Sequence, residues 1–432
     1  MNTTTNPDRK LAPGYGMPDQ VAIAEASDAK LDNGIPVFKI DAGSQELARI
    51  EVIFPSAGAA DQPAPLIASC VNDMLEEGTV NYTSSAFAEQ MDYYGAFLQT
   101  ETTLDFSSVC LFSLNKHLPH TLPLLEELIK NATFPEEEFQ TFIRNRKQKF
   151  LTDEAKVGNV SRKKFVQLLF GDEHPYGHYQ SALDFEATRR PMLIDFHARS
   201  YNSKACHIVV SGKIDPTLDH LLGKHFGNNW KNSSIQLPTV NVRMHSAEGR
   251  FHFVEKKDAV QSAIRIGRVL FNKTHPDYFG MMVLNTVLGG YFGSRLMSNI
   301  REDKGYTYGI GSGMVSLKQA GYFFISTEVG VDVCKLALEE IYKEIDRLRN
   351  EPIPEEELNL VRNYMLGTFL RSADGPFALA DKFKGIYDYG LDYSYYKKYV
   401  STIKNIRAED LQKLANKYLR DEDLIQLVVG KM

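Results

Sequence analysis

The sequence predicts an α+β protein of two duplicated domains, each a mostly antiparallel sheet with helices packed on one face. Three observations lead there. The chain is 432 residues long, more than one ordinary hydrophobic core accommodates, so two or more domains are expected. It also repeats itself. FPEEEF at 134–139 returns as IPEEEL at 353–358, and HIVVSGK at 207–213 returns as QLVVGK at 426–431. Tyr201 precedes the first of those apolar runs and Tyr418 the second, and VNDML at 71–75 has a weaker echo in LNTVL at 284–288. All recur in the same order at nearly one offset of a little over two hundred residues, far too long for a solenoid. Finally, strand-like and helix-like stretches mix without strict β-α-β alternation, which favours helices laid on an antiparallel sheet.

Residues 1–20 are polar, contain Pro and Gly, and read as a loose arm. In the first domain, 21–230, β-forming residues predict strands over 36–40 and 47–54. The run LIASCVNDMLEEGT at 66–79 sets Leu66, Ile67, Cys70, Val71, Met74 and Leu75 at helical spacing and stops at Gly78, predicting a helix over 64–77. A helix over 84–94 and a strand pair over 97–113, rich in Thr, Phe and Val, come next. Helices are expected over 118–131 and 136–152. Before the second of these, Pro135 is followed by Glu136, Glu137 and Glu138, a first turn suited to the helix dipole. Helices over 161–170 and 190–200 and a strand over 206–211, closed by Gly212, complete this domain. The polar, Pro-containing stretch 231–249 reads as a linker. Residues 250–432 read as the second domain, in which Pro354 and Gly430 should superpose on Pro135 and Gly212.

Hydrophobic and charged contents of 43% and 24% are those of a soluble globular protein. A net charge of −6 argues against nucleic acid or an anionic membrane as partner. Cys70, Cys110, Cys206 and Cys334 are scattered without CxxC spacing, and read as small buried residues in a reducing compartment rather than a zinc knuckle or disulfide framework. No stretch is apolar enough to span a bilayer and the start has no signal-like apolar region, so a cytoplasmic location is expected.

On the helix at 64–77, Ser69, Asn72, Asp73 and Glu76 fall at i, i+3, i+4 and i+7 and share one stripe. A polar stripe on an otherwise apolar helix marks a groove or a site. Other clusters weigh toward structure. His174 and His178 flank Pro175 and Gly177, which disfavour a helix and so deny the two histidines an i, i+4 metal geometry; a turn is expected. His117 and His120, on either side of Pro119, read as surface residues. Arg144, Arg146, Lys147 and Lys149 read as a solvated helix face. Ser69 has no G-x-S-x-G setting for a nucleophile, and Gly289, Gly290 and Gly293 lack the Lys-Ser/Thr pair of a phosphate loop.

Taken together, the helix frame at 66–79, FPEEE at 134–138, HPYG at 174–177, LNTVLGGYFGSRL at 284–296, IREDKGYTY at 300–308 and both strand ends carry a resemblance. From about Asp28 onward the chain resembles the pitrilysin/insulinase peptidases, the inverted zincins. In that family the helix bears His-x-x-Glu-His, two zinc-holding histidines around a general base, and a later helix adds a glutamate ligand. Here the three positions read Ser69, Asn72 and Asp73. A serine hydroxyl stays protonated at neutral pH, an amide cannot take up a proton, and one carboxylate does not make a site. The helix beyond Phe139 holds no acid before Asp153. The resemblance therefore implies a chain that binds no zinc and is not catalytic alone. Arg301 and Tyr308 match the family's Arg and the Tyr seven residues on, which reach across the cleft to substrate; a guanidinium and a phenol suit a peptide carbonyl or its oxyanion.

The implied function is that of a non-catalytic, substrate-binding subunit of a zinc metallopeptidase acting on unstructured peptides. Its expected partner is a homologous zinc-bearing chain, in a heterodimer like the bacterial two-chain members and mitochondrial processing peptidase. Two alternatives stay open: a scaffold or peptide-binding protein without catalytic partner, and an active metallopeptidase with an unusual metal site through Asp73. On the first reading, Ser69→Ala and Asn72→Ala should be close to silent for turnover.

Overall fold

Two sheets of one strand order frame the molecule, and a computed structural model describes residues 23–228, 230 and 246–432 of it. The first half runs β1 (Ser27–Lys30), β2 (Pro36–Asp41), β3 (Leu47–Phe54), α1 (Ile67–Asp73), α2 (Ser84–Tyr93), β4 (Phe97–Thr102) and β5 (Ser107–Leu114). It continues through α3 (Leu118–Asn131), α4 (Glu136–Glu154), α5 (Val157–Phe170), α6 (Ala182–Ala187), α7 (Arg190–Ser200), β6 (His207–Gly212) and α8 (Leu218–Leu222). The second half begins with β7 (Phe251–Glu255), β8 (Gln261–Leu270), α9 (Tyr278–Asn285), β9 (Ile310–Ser316) and β10 (Gly321–Gly330). Then come α10 (Cys334–Asn350), α11 (Glu355–Arg371), α12 (Pro376–Tyr387), α13 (Ser394–Asn405), α14 (Ala408–Tyr418) and β11 (Ile425–Gly430).

The sheet orders are β1-β2-β6-β3-β5-β4 and β7-β11-β8-β10-β9. Setting aside the edge strand β1, the second order is the first with each strand replaced by its sequence equivalent. Even the exceptions repeat, since β2–β6 and β7–β11 pair in parallel while the other neighbours run antiparallel. The repeat anchors hold the same posts. Pro135 and Pro354 cap α4 and α11 with φ of −55° and −57°, the value the proline ring imposes, ahead of three glutamates. Gly212 and Gly430 end β6 and β11 at φ of +130° and +140°, which L side chains rarely adopt.

Each sheet keeps its own helices on one face. Ile50, Val52 and Phe54 of β3 enter a core with Val71 and Leu125, while Ile264, Phe323 and Ile325 enter one with Ile341 and Ala415. The opposite faces are covered by exchange. Ile40, Ile53 and Val209 pack against Leu379, Ala380 and Phe383 of α12, a helix of the second half. Leu427 and Val429 of β11 pack against Val160, Phe165 and Leu169 of α5, a helix of the first. Each half thus lends the other the helix that follows its Pro-capped acidic helix. Every large side chain so buried is worth about 1.5–3 kcal/mol. A buried charge goes with the exchange: Glu51, on the α12 side of β3, receives Lys384 of α12 at 2.8 Å and Arg49 at 2.7 Å.

The helix expected over 64–77 is broken at Met74; a 3₁₀ turn, Leu75–Glu77, carries the chain to Gly78. Helices expected over 118–131 and 190–200 stand at those bounds. The arm at 1–20 and residues 231–245 of the expected linker lie outside the described residues.

Candidate functional site

α1 presents Ile67, Cys70 and Val71 to the core and Ser69 and Asp73 outward. Asn72 is fully buried. Its Nδ2 donates to the carbonyls of Glu101 at 2.8 Å and Ser108 at 3.2 Å, and its Oδ1 accepts from the Tyr201 hydroxyl at 2.9 Å. Where the family's general base would stand, a neutral amide ties α1 to two strands and to the end of α7. Asn72→Ala, expected to be close to silent for turnover, therefore carries a cost in stability: a buried amide using both of its ends cannot be removed without leaving partners unsatisfied.

Ser69 and Asp73 share a partner. Arg146 of α4 donates from Nη2 to Ser69 Oγ at 2.7 Å and from Nη1 to Asp73 Oδ2 at 3.1 Å, with Cys70 Sγ at 3.5 Å from Nη1. Its guanidinium also lies over the Phe142 ring at 5.5 Å. Burial pushes the Asp73 carboxyl above its usual range, against the pull of Arg146 and Lys149. Burial likewise pushes the Cys70 thiol up to about 11, so it stays protonated at neutral pH. The donor set is a hydroxyl, an amide, one carboxylate and a cation, which does not fit zinc: a guanidinium already faces the positions where two histidines would point. Among the described residues no group of three His, Cys, Asp or Glu is placed to hold a metal.

Arg146 belongs to the run expected to be a solvated face. Arg144 is exposed and Lys147 pairs with Glu186 at 2.7 Å, but Arg146 turns inward. The signal was present. Phe139, Ile143, Arg146 and Phe150 fall at i, i+4, i+7 and i+11, the stripe by which α4 meets the core.

The other candidates sit in the second half. The glycine-containing stretch continues α9 as a π-helical turn, Thr286–Gly290. A Cβ on Gly289 would come within 2.6 Å of the Ser312 nitrogen on β9, so this glycine permits close backbone packing, as a structural reading requires. A second π-helical stretch, Met297–Asp303, anchors itself by Met297 and Ile300 and carries Arg301. The Arg301 guanidinium lies 4.8 Å from the centre of the Phe292 ring, itself 61% exposed. It makes no ion pair among the described residues. Tyr308, in the loop before β9, is 93% exposed, with no hydrogen-bond partner for its hydroxyl among the described residues. The structure brings Arg301 against Phe292, a residue that sequence reasoning did not single out. It places Tyr308 on the rim of a cleft of about 620 Å³ between the halves. Neither is held by the fold in the surface pair or strand packing that would explain it structurally.

HPYG at 174–177 is a turn. His174 Nδ1 accepts from the Tyr176 backbone at 3.1 Å, and the Tyr176 hydroxyl donates to Asp105, whose other oxygen accepts from the Lys318 backbone at 2.9 Å. It serves to join the halves.

Residues 189–365 match the family model described as the peptidase M16 inactive domain. A protein of Rickettsia bellii called an uncharacterized zinc protease is 24% identical over 406 residues, 90% of this chain and 94% of its own. A Helicobacter pylori protein called a non-peptidase homolog, YmxG, is 22% identical over 345 residues, 77% of each. The solved structure of a peptidase M16 inactive domain from Pseudomonas fluorescens superposes with a TM-score of 0.83 at 21% identity, covering 94% of this chain and 98% of that one. At that identity it shows the shared fold alone.

Proposed function

This chain is a relative of the M16, or pitrilysin/insulinase, peptidases, and from that premise we propose that it is a non-catalytic, peptide-binding subunit working with a homologous zinc-bearing chain. The observation that carries the reading is the Arg146 pair. Where the family holds a metal ion, this chain holds a guanidinium between Ser69 and Asp73, and the general-base position is a core amide. The relatives' printed names divide between zinc protease and non-peptidase homolog, and the residues here support the second. The metal's chemistry would be the partner's. What falls to this chain is to hold an unstructured peptide, with Arg301 and Tyr308 donating to its backbone or to charge developing on the scissile carbonyl. A heterodimer follows from that division of labour. No helix among the described residues is long and apolar enough to cross a membrane.

The scaffold reading has a weaker footing, because Tyr308 is exposed and Arg301 makes no ion pair among the described residues, and a scaffold has no use for them. The experiment is co-purification from the native cell with metal analysis of each species. The expected result is a complex with a chain bearing His-x-x-Glu-His, zinc on that complex, and none on the separated subunit. About one zinc per isolated chain, with chelator-sensitive cleavage, would refute it.

A further inference from the structure

The cleft beside Tyr308 holds two arginines that make no ion pair among the described residues. One wall is the opening of α5, with Lys156, Ser161 and Arg162; the other is β8 and β10, with Arg265 and Glu328. Lys156 is paired with Asp153 at 3.0 Å. Arg162 is exposed and makes no ion pair or hydrogen bond among the described residues. Arg265 differs, for it rises from an interior strand of the second sheet. Its guanidinium lies over the Phe324 ring at 5.5 Å, and its Nε donates to Ser161 Oγ at 3.4 Å. No carboxylate stands within ion-pair distance of it among the described residues. Burial holds it below its usual range; Tyr322 and, more weakly, Glu328 pull the other way, and Arg162 adds to the fall. Glu328, the one acid lining the cleft, reaches over Gly158 at the start of α5 and leaves no room for a Cβ there. It ion-pairs with neither arginine.

A half-buried guanidinium is costly unless it is matched by an anion, and a planar fork matches a carboxylate with two parallel bonds. Two arginines near enough to repel, with no acid committed to either, leave the place of that anion open. We propose that the cleft is a carboxylate subsite for bound peptide, in which Arg162 and Arg265 receive an acidic side chain or a free C-terminus beside Tyr308. The assignment rests on the reading of this chain as a peptide-binding subunit and adds a preference: peptides offering a carboxylate bind better than neutral ones. Because Arg265 is half-buried, salt should weaken that preference only partly.

The test is fluorescence anisotropy on the full chain with one labelled Gly/Ser-rich peptide made in four forms, with internal Glu or Gln and with a free or amidated C-terminus. The two forms carrying a single carboxylate distinguish the side chain from the terminus as its source. The expected result is that at least one of them binds about tenfold more tightly than the amidated Gln form, a modest gain for a charge-assisted pair. Arg162→Gln and Arg265→Gln should each bring the carboxylate forms to within about twofold of the amidated Gln form's affinity for the same variant. Arg162 is exposed and its variant tests the subsite even if Arg265→Gln fails to fold, which a melting curve reports. Equal affinity for all four forms, no binding by any, or a preference that survives both variants would overturn the proposal. The wider reading would still stand or fall on turnover of the reconstituted pair with the neutral peptide.

Discussion

At Arg146 one side chain does for two helices what a metal ion would do, and its removal has a readable cost. Arg146→Ala leaves Asp73 without its cation in a partly screened position, so a loss of about 1–2 kcal/mol is expected, between exposed and buried pairs. Denaturant melts would show it. Asn72→Ala should cost more, about 2–4 kcal/mol, because two carbonyls and the Tyr201 hydroxyl lose their partner in the core. Ser69→Ala should stay within about 1 kcal/mol. A gain-of-metal variant separates electrostatics from packing. Ser69→His with Asp73→His should take up zinc poorly while Arg146 remains, and adding Arg146→Glu should tighten it by at least about 100-fold, since a partly buried cation is exchanged for an anionic ligand. Equal zinc affinity with and without the third change would show that Arg146 does not occupy the metal's place. That Ser69, Asn72 and Asp73 suit no zinc follows from residue chemistry, while their standing at a metal's positions came from resemblance. That Asn72 is a core knot could not be read from the sequence, because its partners Glu101, Ser108 and Tyr201 are distant along the chain. Arg146 could have been found from its spacing with Phe139 and Ile143, and was obscured by the charges around it.

Among the elements, the exchange of α5 and α12 makes each half's sheet depend on the other half. Phe383→Ala in α12 should destabilise by about 2–4 kcal/mol and speed amide exchange in β3 and β6, which belong to the opposite half. Faster exchange confined to the second half would contradict that coupling. The same interface carries a pH response. His207, at the start of β6, is held down to about 4 by burial and then by Lys318 and Lys384, and burial holds His197 of α7 down to about 4 as well. Unfolded, both would titrate near 6.5, so as pH falls the unfolded chain takes up protons first. The stability from keeping them neutral is whole above pH 6.5 or so, and is lost as pH falls toward 4, a total of a few kcal/mol. Melting at pH 7.5 and 5.0 checks it, and His207→Phe should flatten the slope. The order of elements in the first half was largely legible, because Gly, Pro and the apolar spacing mark their ends. The exchange was not: α5 and α12 are apolar on the side they bury, but nothing in their own residues says which sheet they cover. The break at Met74 was hidden for a similar reason, since Met74 and Leu75 keep helical spacing through a 3₁₀ turn.

For the whole molecule, duplication leaves two copies of one fold whose sites have diverged. In the first half Ser69 and Asp73 share the Arg146 guanidinium, and Asn72 is a hydrogen-bonded core amide. In the second, Arg301 rises partly buried from a stretch anchored by Met297 and Ile300 and stacks on Phe292, while Tyr308 is exposed. The repeat itself was legible from FPEEEF and IPEEEL. On the proposed reading, what Arg301 and Tyr308 face in use lies on another chain, an expectation that came only from resemblance. Under that proposal this chain completes a site that it does not itself contain. The most direct test is to reconstitute the pair with a zinc-bearing homologous chain and measure cleavage of an unstructured peptide, with wild type, Arg301→Ala and Tyr308→Phe in this subunit. Assembly and zinc content should be unchanged, while turnover falls by about 10²–10³, the usual cost of one lost oxyanion donor. Turnover equal to wild type in both variants would contradict the account.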